Sequence, residues 1–166
     1  MNYIDLFAGA GGLSEGFKKA GFNPVAHVEM DTAACMTLKT RMAYHHLNES
    51  GLESIYHNYL KGKITREELY SHVPTKLLDK VLCERLATDT LEATFSRIDK
   101  LIHKKKVDLI VGGPPCQAYS YIGRARDEHN MRNDDRNFLY KYYVEFLKAL
   151  KPKIFVFENV PGLKSA

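Results

Sequence analysis

A cysteine lies where the sequence could present a nucleophile. Cys116 ends the run Gly112-Gly113-Pro114-Pro115-Cys116, which follows an apolar stretch at 107–111 that predicts a buried strand. The glycines leave space and the prolines stiffen the loop, so the thiol would be held at the carboxyl end of this strand. A stabilised thiolate there would be a nucleophile, which makes Cys116 a candidate for covalent catalysis. The competing interpretation is a small buried cysteine in a proline turn.

A carboxylate provides the second candidate group. Glu158 begins the segment Glu158-Asn159-Val160 and comes directly after the apolar run 154–157, which predicts another buried strand. We expect Glu158 to be partly buried, and burial would raise its pKa, so that it could donate or bind a proton. An ordinary loop or capping acid is the alternative.

A glycine-rich segment near the start could hold a ligand. The segment 5–12 reads Asp-Leu-Phe-Ala-Gly-Ala-Gly-Gly, and its glycines allow a sharp turn and close approach to a ligand. Ser14 stands where the dinucleotide fingerprint needs its third glycine, which argues against a pyrophosphate. Glu29 ends the second predicted strand, where a carboxylate can accept both ribose hydroxyls. A nucleoside without pyrophosphate, such as S-adenosylmethionine, fits both features; a tight turn with an incidental acid is the alternative.

Strand-like and helix-like segments alternate, which predicts an α/β fold with a parallel sheet. Because ligands bind beyond the carboxyl ends of such strands, the three segments above should meet at one edge. The predicted strands are 3–7, 24–30, 107–111 and 154–157, and the predicted helices are 13–20, 32–45, 91–102 and 138–150. Asp31 and Asp89 are placed to cap the helices that follow them.

The middle of the chain, about 47–86, predicts a helical insertion. It is polar and tyrosine-rich and shows no convincing strand, and short helices are expected at 52–60, 66–70 and 75–86. Its tyrosines are interpreted as core residues of these helices in preference to base-stacking groups. Cys35 and Cys83 are interpreted as packing residues on helix faces.

Composition excludes several classes of protein. The 166 residues carry a net charge of +4, which allows a polyanionic partner without requiring one. No apolar run is long enough to span a membrane, and no signal peptide is recognisable. Three widely spaced cysteines favour neither a disulfide framework nor a metal site. We therefore expect no membrane partner, no metal and a reducing compartment, the cytoplasm.

The three segments together resemble those of the DNA (cytosine-5) methyltransferases, in the N-terminal part of their catalytic domain. Residues 5–12 are similar to that family's cofactor loop, Pro115-Cys116-Gln117 to its P-C-Q and Glu158-Asn159-Val160 to its E-N-V, in the same order. The resemblance implies a Rossmann-like methyltransferase fold, with a partial parallel sheet flanked by helices. It also implies S-adenosylmethionine as methyl donor and S-adenosylhomocysteine as product.

The resemblance also implies roles for individual residues. Glu29 would hold the ribose and Met30 would pack on the adenine. The family has a further acid near the third strand, for which Asp89 is the nearest candidate, although capping explains Asp89 adequately. The residues implied to approach the cofactor are Phe7, Ala8, Gly9, Gly11, Gly12, Glu29, Met30, Pro115 and Leu139.

The implied reaction is methylation of carbon 5 of cytosine in double-stranded DNA, within a restriction-modification system. Cys116 would add to carbon 6 and Glu158 would contact N3 and the exocyclic amine. The target base would be flipped out of the duplex. The residues expected to contact nucleic acid are Gln117, Ser120, Arg124 and Arg126.

Relatives in this family continue well beyond the E-N-V strand. We therefore expect this chain to be an incomplete fragment without a target-recognition domain, inactive by itself, with an apolar sheet edge that favours artificial self-association. Three alternatives stay open: methylation of a tRNA cytosine, a nucleotide-dependent oxidoreductase, and a catalytically silent remnant that binds cofactor or a partner.

Overall fold

The computed structural model describes residues 1–103, 105–115 and 138–160, in which helices and strands alternate. The strands are β1 (Asn2–Leu6), β2 (Asn23–Glu29), β3 (Val81–Cys83), β4 (Leu109–Gly112) and β5 (Ile154–Phe157). The helices are α1 (Gly12–Lys19), α2 (Thr32–Glu49), α3 (Glu53–Leu60), α4 (Arg66–Ser71), α5 (Thr75–Leu78), α6 (Leu91–Ile102) and α7 (Leu139–Leu150).

The strands form one parallel sheet in the order β3-β2-β1-β4-β5, which confirms the predicted α/β fold. The central strand β1 is paired with β2 on one side and β4 on the other. The order of the strands therefore reverses between β1 and β4. In such sheets a crevice opens at this reversal, beyond the carboxyl ends of the strands.

Helices cover both faces of the sheet. Leu13 and Phe17 of α1 pack against buried Tyr3 of β1 on one face. On the other face, Leu6 of β1 belongs to the large core cluster that includes Phe146 of α7. Right-handed crossovers account for this arrangement, because the chain moves outward from β1 in opposite directions in its two halves.

The helical insertion differs from the prediction at its end. Helices α3, α4 and α5 are present, but the helix expected over 75–86 is wrong, because α5 ends at Leu78 and β3 follows. Cys83 therefore lies on a strand and not on a helix face. A strand of three residues is too short to show an alternating pattern. Tyr56, Tyr59 and Tyr70 pack as expected against the buried residues Ala43, Leu47, Leu69 and Val73. Tyr44, also expected to be a core residue, is exposed.

The two predicted helix caps have different outcomes. Asp31 caps α2 as predicted, since its carboxylate accepts a hydrogen bond of 2.7 Å from the Ala34 N–H; this helix continues to Glu49. The cap by Asp89 is wrong. Helix α6 begins after Thr90, with no side-chain cap, and Asp89 is exposed. The Thr90 hydroxyl instead accepts the Ala87 N–H at 3.1 Å and so closes the turn itself.

Strand β5 forms one edge of the described sheet. Its apolar side chains Ile154 and Phe155 are 53% and 57% exposed, so the expected apolar edge is present in the part of the chain that the structure describes. Self-association through this edge stays a prediction. Among the described residues, no helix combines the length and the hydropathy needed to cross a membrane.

Ser14, which takes the place of a fingerprint glycine, belongs to a buried polar network between β1, α1 and β2. Its hydroxyl donates to the Asp5 carboxyl group at 2.6 Å and lies 3.1 Å from Nδ1 of His27. Tyr3 donates its hydroxyl to the Ser14 carbonyl at 3.1 Å. Burial raises the pKa of Asp5 to about 7, and burial with the nearby Lys80 charge lowers the pKa of His27 to about 4. Both groups are therefore favoured in their neutral forms.

This network predicts opposing effects of pH on stability. Between pH 4 and 7 folded Asp5 keeps a proton that the unfolded chain loses, so this group makes stability fall as pH rises. His27 has the opposite effect between pH 4 and 6.5, because only the unfolded chain binds its proton. We expect Asp5→Asn to remove the first effect, so that the variant gains stability relative to wild type as pH rises from 4 to 7.

Urea unfolding followed by circular dichroism at several pH values measures this difference. Asp79→Asn, at an exposed site, is the matched control. Parallel stability curves for wild type and Asp5→Asn across this range would contradict the assignment.

Candidate functional site

A cleft opens at the carboxyl edge of the sheet, next to the point where the strand order reverses. Its volume is about 220 Å³. Six residues that the sequence assigned to the cofactor line it: Phe7, Gly9, Glu29, Met30, Pro115 and Leu139. Five further residues complete the lining: Val28, Glu84, Arg85, Leu86 and Gly113.

The carboxylate of Glu29 is held in a fixed position at this cleft. One oxygen accepts the Gly9 N–H at 2.7 Å, and the other accepts the N–H groups of Met30 and Asp31, both at 2.8 Å. These donors come from the loop after β1 and from the start of α2, so the carboxylate joins the two segments. Carboxylate oxygens can accept further hydrogen bonds, and Glu29 therefore remains able to bind a diol.

The loop after β1 has the backbone of a tight turn. Phe7, Gly9 and Gly11 have φ angles of +57°, +53° and +83°, which glycine adopts freely and which strain Phe7. Arg41 of α2 donates from Nε to the Ala10 carbonyl at 2.8 Å and so fixes the loop from outside the cleft.

Three of the predicted cofactor residues build this turn and are not part of the cleft lining. Ala8 is buried and Gly12 begins α1. Gly11 faces α2, where a Cβ would lie 2.6 Å from a methyl carbon of Leu38. Gly11 therefore requires glycine, whereas a Cβ on Gly12 would meet nothing within 4 Å.

The ends of β4 and β5 are in direct contact. A Cβ on Gly112 would overlap the Leu6 carbonyl, and a Cβ on Gly113 would overlap the Glu158 side chain. The Glu158 N–H donates to the Gly112 carbonyl at 3.0 Å. The segment that leads to the candidate nucleophile therefore lies beside Glu158, as the parallel sheet predicts. Cys116, Gln117, Ser120, Arg124 and Arg126 lie outside the described residues.

The expected burial of Glu158 is wrong for the described chain, in which this residue is exposed. The apolar run before it suggested a buried strand, but β5 lies at the sheet edge, and its side chains from Ile154 to Val156 are exposed. The proton-donor role expected for Glu158 depended on its burial, and the described residues do not bury it.

The residues that sequence reasoning missed follow β3, the strand that it also missed. The Glu84 N–H donates to the Glu29 carbonyl at 2.8 Å. This hydrogen bond places the residues after β3 beside the cleft. The Glu84 carboxylate accepts the Thr94 hydroxyl at 3.0 Å and pairs with Arg97 of α6. Asp89, the acid suggested for this region, is exposed and does not line the cleft. The short apolar run before Glu84 was the available signal.

The arrangement suits a nucleoside. Phe7, Val28, Leu86 and Leu139 provide apolar walls for a base, while Glu29 provides a fixed acceptor for sugar hydroxyls. In the described ranges, no three His, Cys, Asp or Glu side chains are grouped as a metal site would require.

Comparisons with known proteins agree with this geometry. The family model described as C-5 cytosine-specific DNA methylase matches residues 1–65 and 66–166. A type II methyltransferase of Bacillus paralicheniformis is 40% identical over 100% of this chain and 42% of its own. A type II methyltransferase of Xanthomonas oryzae is 38% identical over 96% of this chain and 28% of its own.

A solved structure is also similar. It is the crystal structure of an E. coli DNA modification methyltransferase encoded within a prophage, with a TM-score of 0.56 and 26% identity. The match covers 98% of this chain and 33% of that chain. This chain thus spans less than half the length of these relatives.

The contact between β4 and the Glu158 segment gives a prediction about stability. Gly113→Ala should destabilise the fold by about 1–3 kcal/mol, because the added methyl group overlaps Glu158. Gly16→Ala is the matched control: its site in α1 is open, so alanine should stabilise by about 0.5–1 kcal/mol. Urea unfolding of both variants tests the contact, and equal stability of the two would show that it is absent.

Proposed function

Because the chain belongs to the C-5 cytosine-specific DNA methylase family, we propose that its cleft binds S-adenosylmethionine and that the complete enzyme methylates carbon 5 of cytosine in DNA. The observation that carries this proposal is the fixed Glu29 carboxylate at the mouth of an apolar cleft. The relatives are named type II methyltransferases, so we place the reaction in a restriction-modification system in the cytoplasm.

The ribose and the adenine of the cofactor have fitting partners in the cleft. Glu29 accepts hydrogen bonds from the two ribose hydroxyls. Three backbone N–H groups hold its carboxylate in position for this. Met30 is 61% exposed beside Glu29, where it can pack on an adenine. Glu84 replaces Asp89 as the acid that meets the adenine amino group, because Glu84 lines the cleft and Asp89 does not.

The cofactor supplies an electrophilic methyl group, and Cys116 makes cytosine reactive toward it. Addition of the Cys116 thiolate to carbon 6 would load electron density on carbon 5, the position that receives the methyl group as S-adenosylhomocysteine is released. Loss of the carbon 5 proton to a base would then expel the thiolate and restore the ring. Glu158 contacts N3 and the exocyclic amine and stabilises the ring as its charge changes. Its exposure in this chain leaves it accessible to a base.

Double-stranded DNA is the proposed substrate, and the target base must leave the duplex to reach Cys116. Gln117, Ser120, Arg124 and Arg126 are the proposed nucleic-acid contacts. Their assignment rests on the P-C-Q match and on the suitability of arginine for phosphate.

Titration with S-adenosylmethionine tests the cofactor site. Glu29→Gln should weaken binding about tenfold or more, because it removes a charged acceptor of two hydroxyls. Glu53→Gln, at an exposed site in α3, should bind as wild type does. Isothermal calorimetry measures the affinities, after circular dichroism has shown that each variant is folded. Equal affinity of the two variants would remove Glu29 from the site.

Methyl transfer to DNA tests the nucleophile. In the complete enzyme, Cys116→Ser should abolish transfer of labelled methyl groups from the cofactor while the cofactor still binds, because serine is a far weaker nucleophile. Cys83→Ser, at an exposed cysteine outside the cleft lining, is the control and should retain activity. Normal turnover by Cys116→Ser would exclude the covalent mechanism.

A further inference from the structure

Two thiols that the proposed reaction does not use lie beside the cleft. Cys35, in the first turn of α2, is buried, and its Sγ–H donates to the Glu29 carbonyl at 3.3 Å. Cys83 is exposed, and in the sheet it pairs in register with Glu29. Both cysteines are therefore placed around the backbone of the residue whose side chain defines the site.

The geometry of β3 directs Cys83 toward Cys35. Val81 packs in one cluster with Cys35 and Leu38, whereas Leu82 belongs to the core cluster on the opposite face of the sheet. Side chains alternate along a strand, so Cys83 points to the same face as Val81, which α2 covers. Burial raises the pKa of Cys35 to about 12, with further contributions from a hydrogen bond to Cys83 and from its charge. The two thiols are therefore neighbours on the face of the sheet that α2 covers.

We propose that Cys83 and Cys35 form a redox-active dithiol, which a peroxide converts to a disulfide that weakens cofactor binding. Exposed Cys83 is the thiol that the oxidant reaches, and buried Cys35 is its resolving partner. This arrangement is typical of cysteine sensors, in which an accessible thiol stands next to a second one.

The reaction balances in two steps. The Cys83 thiolate attacks one peroxide oxygen; the S–O bond forms, the O–O bond breaks and the departing hydroxide takes a proton to become water. Cys35 then attacks the sulfur of the sulfenic acid; the S–S bond forms, the S–O bond breaks and the hydroxyl leaves with the Cys35 proton as water. The two thiols lose two electrons and the peroxide gains them.

Oxidation alters contacts at the cleft. The disulfide removes the Cys35 hydrogen bond to the Glu29 carbonyl and ties the first turn of α2 to the end of β3. That turn follows the Met30 and Asp31 N–H groups that hold the Glu29 carboxylate. A change in its position therefore displaces the acceptor of the ribose hydroxyls. This consequence rests on the proposed function, whereas disulfide formation does not.

The experiment uses the full chain with Cys116→Ser, which leaves Cys35 and Cys83 as its two cysteines. After treatment with hydrogen peroxide, mass spectrometry and thiol titration should show loss of both thiols and an intramolecular disulfide that dithiothreitol reverses. Affinity for S-adenosylmethionine should fall about fivefold or more on oxidation and recover on reduction. Adding Cys83→Ser should abolish both effects, and adding Cys35→Ala should leave a trappable sulfenic acid on Cys83.

Formation of sulfinic acid or of intermolecular disulfides, in place of the intramolecular disulfide, would overturn the proposal that Cys83 and Cys35 form a redox-active dithiol. An internal disulfide with unchanged cofactor affinity would overturn its effect on the site. Absence of cofactor binding by the folded, reduced chain would count against the proposed function and against the effect on the site, while the disulfide readout would still decide the dithiol.

Discussion

The site depends on one interaction, the carboxylate of Glu29 with three backbone N–H groups. Gly9 provides one donor, and Met30 and Asp31 provide the others. The loop after β1 is rich in glycine, and the start of α2 is a helix terminus whose first N–H groups have no partners within the helix. A single anion satisfies donors from both and holds them together. Glu29 also lines the cleft, so the group that joins these two segments is also the group that would bind the ligand.

Helix α2 supports the site from behind. Its first turn carries Cys35, which bonds the Glu29 carbonyl, and Arg41 further along holds the Ala10 carbonyl of the glycine loop. The opposite wall comes from β3 and the start of α6, through Glu84. Movement of α2 relative to β3 would therefore change the shape of the cleft. This coupling gives the dithiol its proposed effect, without any contact between the cysteines and the ligand.

The sheet brings the remaining parts together by close backbone approach. Gly112 and Gly113 at the end of β4 have no space for side chains, because Leu6 lies on one side and Glu158 on the other. The parallel arrangement then aligns the ends of β1, β4 and β5 along one edge. Apolar residues of β5 are exposed at the edge of the described sheet.

The sequence by itself determined the parallel α/β fold and most of the cleft lining, because long apolar runs and three specific segments carry that information locally. The position of Glu29 at the end of β2 was predicted from its spacing, and this residue lines the cleft. The tertiary structure decided what local patterns do not encode. Strand β3 forms because β2 provides a pairing partner for it. The positions of Glu84 and Cys83 follow from this strand. The exposure of Glu158 depends on what covers β5, and the turn before α6 is closed by Thr90 and not by Asp89. Burial and pairing depend on neighbours distant in sequence, so local patterns specify them only in part.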